Sequence, residues 1–265
     1  MKDTVDGLIL RESSVGESDK LLTILTAEHG KMLLRAKGVR NLKSKNLSLC
    51  LPFTYGNFEY YEKNGMRWLA GGSSQVSFFG SSYEIEDFSL AAYISDVACE
   101  ITGEEANAEQ ILRVTLNTLY AIGKKLKPRE LIKASYELFA AASSGFFPNL
   151  DGCRKCGSTQ SDSYFVDVMN GNCLCHACLK ESSLGSHYVE LDKFESRNIL
   201  IPISASALAA ARYVLCAPPS RIFAFELKED NDLADLARLA ETYLLNHLER
   251  GFDTLEFYKN LPKPL

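Results

Sequence analysis

Five of the eight cysteines lie between positions 150 and 185, in two clusters: "CRKCG" carries Cys153 and Cys156, and "CLCHACL" carries Cys173, Cys175 and Cys178. Pairing Cys153/Cys156 with Cys175/Cys178 leaves eighteen residues between two Cys-x-x-Cys knuckles, inside the spacing of a four-cysteine zinc site. A two-residue gap lets both thiolates of a knuckle reach one tetrahedral ion at ~2.3 Å. Gly157 relieves the tight turn behind the first knuckle. Cys173, one residue from Cys175, is the spare, and His176 is expected to point away. With all four positions filled by protein, such an ion is structural and not catalytic. Two other readings stay open: a Cys175-His176-Ala177-Cys178 redox dithiol, which ordinarily opens a helix in a βαβ unit, and a metal-free cluster.

A second chemical signal is electrostatic. From His29 to Phe58 the chain has six Lys or Arg (Lys31, Arg35, Lys37, Arg40, Lys43, Lys45) and no Asp or Glu. The net charge is −5 overall, so the remainder carries −11. Carboxylates are harmless on a neutral solvated face but repel phosphate, which gives a physical reason for their exclusion. The alternative is a solvated charged face. A second basic cluster, Lys124, Lys125, Lys127 and Arg129, falls at a helix–helix junction, where a solvated helix end is the plainer reading.

Covalent catalysis finds little support. The chain has no G-x-x-x-x-G-K-[ST], G-x-S-x-G or H-E-x-x-H motif. Its four histidines (His29, His176, His187, His247) form no recognisable acid–base constellation. Glu17 with Asp19, and Glu84 with Glu86 and Asp87, read as turn and helix-start residues more cheaply than as metal ligands. The expectation is therefore a protein that is not an enzyme. With 46% apolar and 24% charged residues, composition suits a globular protein with a sizeable core. No stretch reaches the ~18 uncharged apolar residues of a membrane span, and no secretory signal is visible. The expected compartment is the cytoplasm, where thiols stay reduced.

These groups need elements to hold them. Val5–Arg11 alternates around Leu8 and Leu10. Leu21–Leu25, Lys31–Lys37, Asn57–Tyr61 and Met66–Ala70 follow as short apolar runs, the last two flanking the Lys63-Asn64-Gly65 hairpin signal. Five such strands suggest a small barrel or sandwich. In the third, a two-residue period sends Met32, Leu34 and Ala36 inward and Lys31, Leu33, Arg35 and Lys37 outward. Phe53, Tyr55, Phe58, Tyr60, Tyr61 and Trp68 are candidate stacking platforms for bases; Tyr60 and Tyr61 have opposite parity, so only one faces outward.

Beyond Gly80-Ser81-Ser82, Ile85 to Ile101 has helical periodicity. Asn107 and Gln110 resemble a capping box opening a helix to Leu126. Pro128 starts and Gly145 stops the next, and Asp230 to Arg250 forms a long helix before Gly251. The expected architecture is a multidomain α+β chain. It has an OB-fold barrel at 1–81, a helical domain at 82–149 plus 182–265, and an inserted four-cysteine zinc module at 150–181.

The residues resemble one family over nearly the whole chain, the bacterial DNA repair and recombination protein RecO. The resemblance rests on Gly16-Glu17-x-Asp19, Gly30-Lys31 and Ala36-Lys37-Gly38-x-Arg40. It extends through "LCLPFTYGNFEYYEKNG", "GFFPNLDGCRKCG", "GNCLCHACL" and "ETYLLNHLERGFDTLEFYKNL". Asn172 departs from it, standing where a second glycine is frequent. The resemblance implies a recombination mediator that binds single- and double-stranded DNA, anneals complementary strands without ATP, and acts with RecR to help load RecA on strands coated by single-strand-binding protein. It also implies that Lys31, Arg35, Lys37, Arg40, Lys43 and Lys45 contact DNA. On this reading Lys124, Lys125, Lys127 and Arg129 grip the acidic C-terminal tail of single-strand-binding protein. Zinc at Cys153, Cys156, Cys175 and Cys178 is then a scaffold, and the protein is nucleoid-associated. The competing function is a zinc-stapled protein-interaction scaffold without DNA affinity.

Overall fold

The computed structural model describes residues 2–79, 84–181 and 199–262. The chain divides into two compact units, one of residues up to 126 together with 252 onward, the other of residues 127–251. The expected break at Gly80-Ser81-Ser82 lies outside the described residues.

In the first unit β1 (Asp3–Val15), β2 (Asp19–Thr26), β3 (Gly30–Ala36), β4 (Thr54–Lys63) and β5 (Met66–Ser77) close a barrel in the order β1-β2-β3-β5-β4. The β3–β5 pairing is parallel, and the other pairs are antiparallel. This is the connectivity of an OB-fold, as the sequence led us to expect. Ile9, Leu22, Ile24, Met32, Leu34, Phe58 and Leu69 fill the interior. Val39, Leu49 and Cys50, from the loop joining β3 to β4, close the packing. Register shifts at Tyr55/Gly56 and Glu59/Tyr60 leave extra residues in β5, and such bulges supply the bending a small closed barrel needs.

The first strand is buried beyond the alternating positions Leu8 and Leu10. In β1 it is Ile9 that joins the barrel core, with Val5 packed against it. Leu8 and Leu10 are buried as well, although they belong to the opposite face. The helix α1 (Ile85–Ile101) packs against β1, so this strand is apolar on both sides. A register shift between Ile9 and Arg11 accommodates the run.

The unit also contains α2 (Glu109–Gly123) and α7 (Asp253–Lys259). Asp96 of α1 accepts from Arg11 Nε at 2.5 Å and from Thr254 Oγ1 at 2.8 Å, tying barrel and last helix to α1. The α2 start is also simpler than a capping box. Its cap is Ala108, without a side-chain cap bond, and Asn107 Oδ1 instead accepts from the Glu109 N–H at 3.2 Å. The helix stops at Gly123, short of the expected Leu126.

Gly30 sits where the β2–β3 turn meets the loop between α1 and α2. Its φ is +60°, and a Cβ there would lie 2.3 Å from the Gly103 carbonyl oxygen. Lys31 N–H donates to that same oxygen at 3.0 Å, and Ala108 N–H to the Ala27 carbonyl at 2.8 Å. Only glycine fits both the left-handed backbone and the close approach.

The second unit holds α3 (Arg129–Ser143), β6 (Asn149–Cys153), β7 (Ser163–Asp167), β8 (Asn172–Cys175), α4 (His176–Lys180), β9 (Leu200–Ser204), α5 (Ala205–Cys216) and α6 (Asp230–His247). The four strands form one sheet of order β6-β8-β7-β9. Between α3 and α6 the buried Lys133 ammonium reaches Glu137 at 2.8 Å and Glu241 at 2.7 Å. Burial opposes its charge, but the two carboxylates prevail and raise its pKa.

Candidate nucleic-acid interface and metal centre

The β3 alternation is as its period demands: Met32, Leu34 and Ala36 are buried, whereas Leu33 and Lys37 are exposed and Lys31 and Arg35 half-buried. Arg35 lies in a row across three strands, opposite Trp68 of β5, which in turn faces Tyr61 of β4. The Arg35 guanidinium carbon is 4.9 Å from the Trp68 ring centroid, within cation–π range. Of the other candidate platforms, Phe58 and Phe53 are core, Phe53 ringed by Phe79 and Phe88, and Tyr60 packs against the barrel interior. Tyr61 is the exposed member of its pair.

Asp19 organises this corner. One carboxylate oxygen accepts from Arg35 Nε at 3.2 Å and Nη2 at 3.0 Å; the other accepts from the Gly38 N–H at 2.9 Å. The Gly38 bond is the largest influence on the carboxyl, and with Arg35 it holds the pKa below the usual value. Arg40 completes the stitching: its N–H donates to the Ser18 carbonyl at 3.0 Å and its Nη1 to the Gly16 carbonyl at 3.1 Å. The glycines, Asp19 and Arg40 singled out in the sequence therefore join the β1–β2 turn to the β3–β4 loop. Gly38, at φ +64°, makes the turn that starts this loop.

The six basic residues fall into different settings. Lys37, Lys43 and Lys45 are exposed, and among the described residues none of them is in an ion pair. Arg40 is exposed with its guanidinium on a carbonyl, and Arg35 is held by Asp19. Lys31, on the outward face of β3 as its period demands, donates from Nζ to the Cys99 carbonyl at 3.0 Å. Cys99 belongs to the last turn of α1, which has no basic residue of its own, so Lys31 serves the negative end of that helix.

In the other basic cluster, Lys124 and Lys125 are exposed at the end of α2, and Lys125 pairs with Glu84. In the second unit, Lys127 bonds Glu226 at 3.0 Å, and Arg129 begins α3.

The sulfur atoms of Cys153, Cys156, Cys175 and Cys178 all lie within 4.8 Å of one another and could hold a metal ion. Cys156 Sγ and Cys175 Sγ are 3.7 Å apart, close to the ~3.8 Å edge of a tetrahedron with ~2.3 Å metal–sulfur bonds. No other cluster of three or more His, Cys, Asp or Glu side chains with that geometry occurs among the described residues. Burial opposes ionisation of Cys153, but N–H groups of Cys175, Cys156 and Lys155 outweigh it and bring the thiol down to about 6. Cys178 is pushed up to about 12, chiefly by its hydrogen bond with Cys156 and by burial. Cys173 stands apart: its thiol donates to the Gly152 carbonyl at 3.1 Å, and burial raises it to about 11. His176 is exposed and stacks on Phe165.

His29 and His247 have structural partners. His29 contacts Glu105, which also binds Arg67. His247 Nε2 lies 2.8 Å from the Val168 carbonyl, between Phe146 and Tyr243. His187 lies outside the described residues.

A closed OB-type barrel together with a helical unit carrying a four-cysteine cluster defines the architectural class. Residues 1–77 match the family model for the recombination protein O N terminal, and residues 82–256 that for its C terminal. The chain belongs to the recombination protein O family, and so has a role in DNA repair and recombination. It is 27% identical to DNA repair protein RecO of Acetivibrio thermocellus, covering 97% of this chain and 96% of that one. The corresponding protein of Alkaliphilus metalliredigens is 28% identical, covering 97% and 98%, and that of Bacillus subtilis 25% identical, covering 97% and 96%.

Proposed function

We propose that the protein is a DNA-binding recombination mediator whose contact surface is the β3–β4 loop and the adjoining outer row of the barrel. The observation that carries this reading is the set of exposed cations Lys37, Arg40, Lys43 and Lys45 on a loop without a single carboxylate. Cations there lower the repulsion between two polyanionic strands, and Arg35, Trp68 and Tyr61 offer planar surfaces to unpaired bases. Annealing by such a surface requires no ATP and no covalent step, so the protein is not an enzyme on this reading. RecR, the tail of single-strand-binding protein, and indirectly RecA are its partners, in the cytoplasm at the nucleoid. Lys124 and Lys125 are candidates to meet the acidic tail. Residues 150–181 act as an inserted zinc module, in which Cys153, Cys156, Cys175 and Cys178 hold structural zinc and stabilise the fold.

The test is affinity for a labelled single strand over a salt series. Four phosphate contacts give a log–log slope of about −3, and six, with Lys31 and Arg35 included, about −4. A protein-only scaffold gives no salt-dependent affinity at all.

A further inference from the structure

We propose that Leu42 is a wedge that enters the base stack of bound nucleic acid and holds neighbouring bases apart. The inference rests on the proposed DNA-binding reading and assigns a role within that surface. Leu42 is 87% exposed, the most exposed large apolar side chain among the described residues. A single exposed leucine is ordinary on protein surfaces; this one differs in how it is held and in what surrounds it.

The loop that carries it is firmly built. Asn41 N–H donates to the Gly38 carbonyl at 3.3 Å and Ser44 N–H to the Asn41 carbonyl at 2.8 Å, while Asn41 Oδ1 accepts from Lys43 N–H at 3.0 Å. Both ends of the loop are sunk into the barrel core, through Val39 on one side and Leu49 and Cys50 on the other. The leucine is therefore displayed at a crest whose position the core fixes, so little order is lost when it meets a ligand.

Its neighbours in the chain select the ligand. Arg40, Lys43 and Lys45 flank it within three residues, all exposed. A protein groove that took up a leucine would be lined by apolar side chains and need a carboxylate rim to match this fence. Nucleic acid has both features in a fixed arrangement, with apolar base faces inside and phosphates outside. Inserted leucines and other apolar wedges unstack base steps in just this setting. For annealing, the wedge presents bases unstacked to an incoming strand while the cations screen the two backbones.

The experiment uses the full chain, single-stranded and duplex oligonucleotides carrying a fluorescent adenine analogue that brightens when unstacked, and a parallel salt titration of affinity. Wild-type protein is expected to brighten the probe. Leu42→Ala is expected to retain the salt slope and most of the affinity while losing most of the brightening, and Leu42→Phe to restore it. Full brightening by Leu42→Ala overturns the wedge. So does a Leu42→Ala protein that is normal on DNA but loses a protein partner, which would make the leucine a protein contact. Absence of salt-dependent binding by the wild type fails the DNA-binding reading itself, and is distinguished by the titration arm.

Discussion

Asp19 meets Arg35 diagonally across the β2–β3 pair, two positions from Leu21, which lies opposite Arg35; Arg35 donates to one Asp19 carboxylate oxygen at 3.2 and 3.0 Å. The carboxylate occupies the Nε–Nη2 edge of the guanidinium, and the indole of Trp68 covers one of its faces. Arg35 is thus positioned but partly neutralised in the free protein. Its share in DNA binding depends on whether phosphate displaces Asp19.

Asp19→Asn separates the two effects. Asn keeps an acceptor for the Gly38 N–H but releases the charge on Arg35, so the salt slope on single strands should steepen by about 0.7. Stability should fall at neutral pH. The folded carboxyl lies below its ordinary 3.8, so its contribution is present above that value and is lost as pH falls through the lowered one. The stability gap between wild type and variant should therefore close below about pH 4, as read by denaturant unfolding at neutral and acid pH. A gap that widened in acid would contradict the assignment.

The free lysines and the capping lysine should behave oppositely. Replacing Lys37, Lys43 and Lys45 together by Ala should make the slope shallower by about 2 with little loss of stability. Lys31→Ala should leave the slope unchanged and lower the unfolding midpoint, because it strips the cation from the C-terminal end of α1. Salt titrations and urea melts on the two variants decide this.

Metal removal should be visible in one unit and silent in the other. The chain has one tryptophan, Trp68 in the barrel, so its emission reports on the first unit alone. A strong chelator, or Cys156→Ser, should abolish stoichiometric zinc and reduce secondary structure by circular dichroism while tryptophan emission holds. Metal binding in such modules supplies roughly 10–16 kcal/mol, largely as folding energy. Cys173→Ser should keep the zinc, since that thiol serves the Gly152 carbonyl.

Gly30→Ala should be among the costliest small substitutions in the first unit. The new Cβ would lie 2.3 Å from the Gly103 carbonyl oxygen on a backbone with φ +60°. A loss on the order of 2–4 kcal/mol is expected, seen as a lower urea midpoint at unchanged slope.

Short-range regularities made much of this architecture readable. The two-residue period in β3 sorted Met32 and Leu34 from Arg35 and Lys37, and the spacing of two Cys-x-x-Cys pairs singled out the four sulfur atoms that cluster. What escaped the sequence depends on partners far along the chain. Leu8 and Leu10 set the alternation in β1, yet it is Ile9 between them that joins the barrel core, while α1 packs against the same strand. Lys31 looks like one more outward cation, yet its acceptor is the carbonyl of Cys99, sixty-eight positions away. The Asp19–Arg35 pair spans sixteen positions, and only the β2–β3 register brings it together. An acid-free tract, however clear, does not say which of its cations the protein keeps for itself.

Because β1 through β5 close on themselves, each strand already has a neighbour on either side. The closing seam between β3 and β5 is held by one register pair, Arg35 with Trp68, and the same two side chains meet on its outer face. Specificity at that surface can change by point substitution, without rethreading the hoop beneath it.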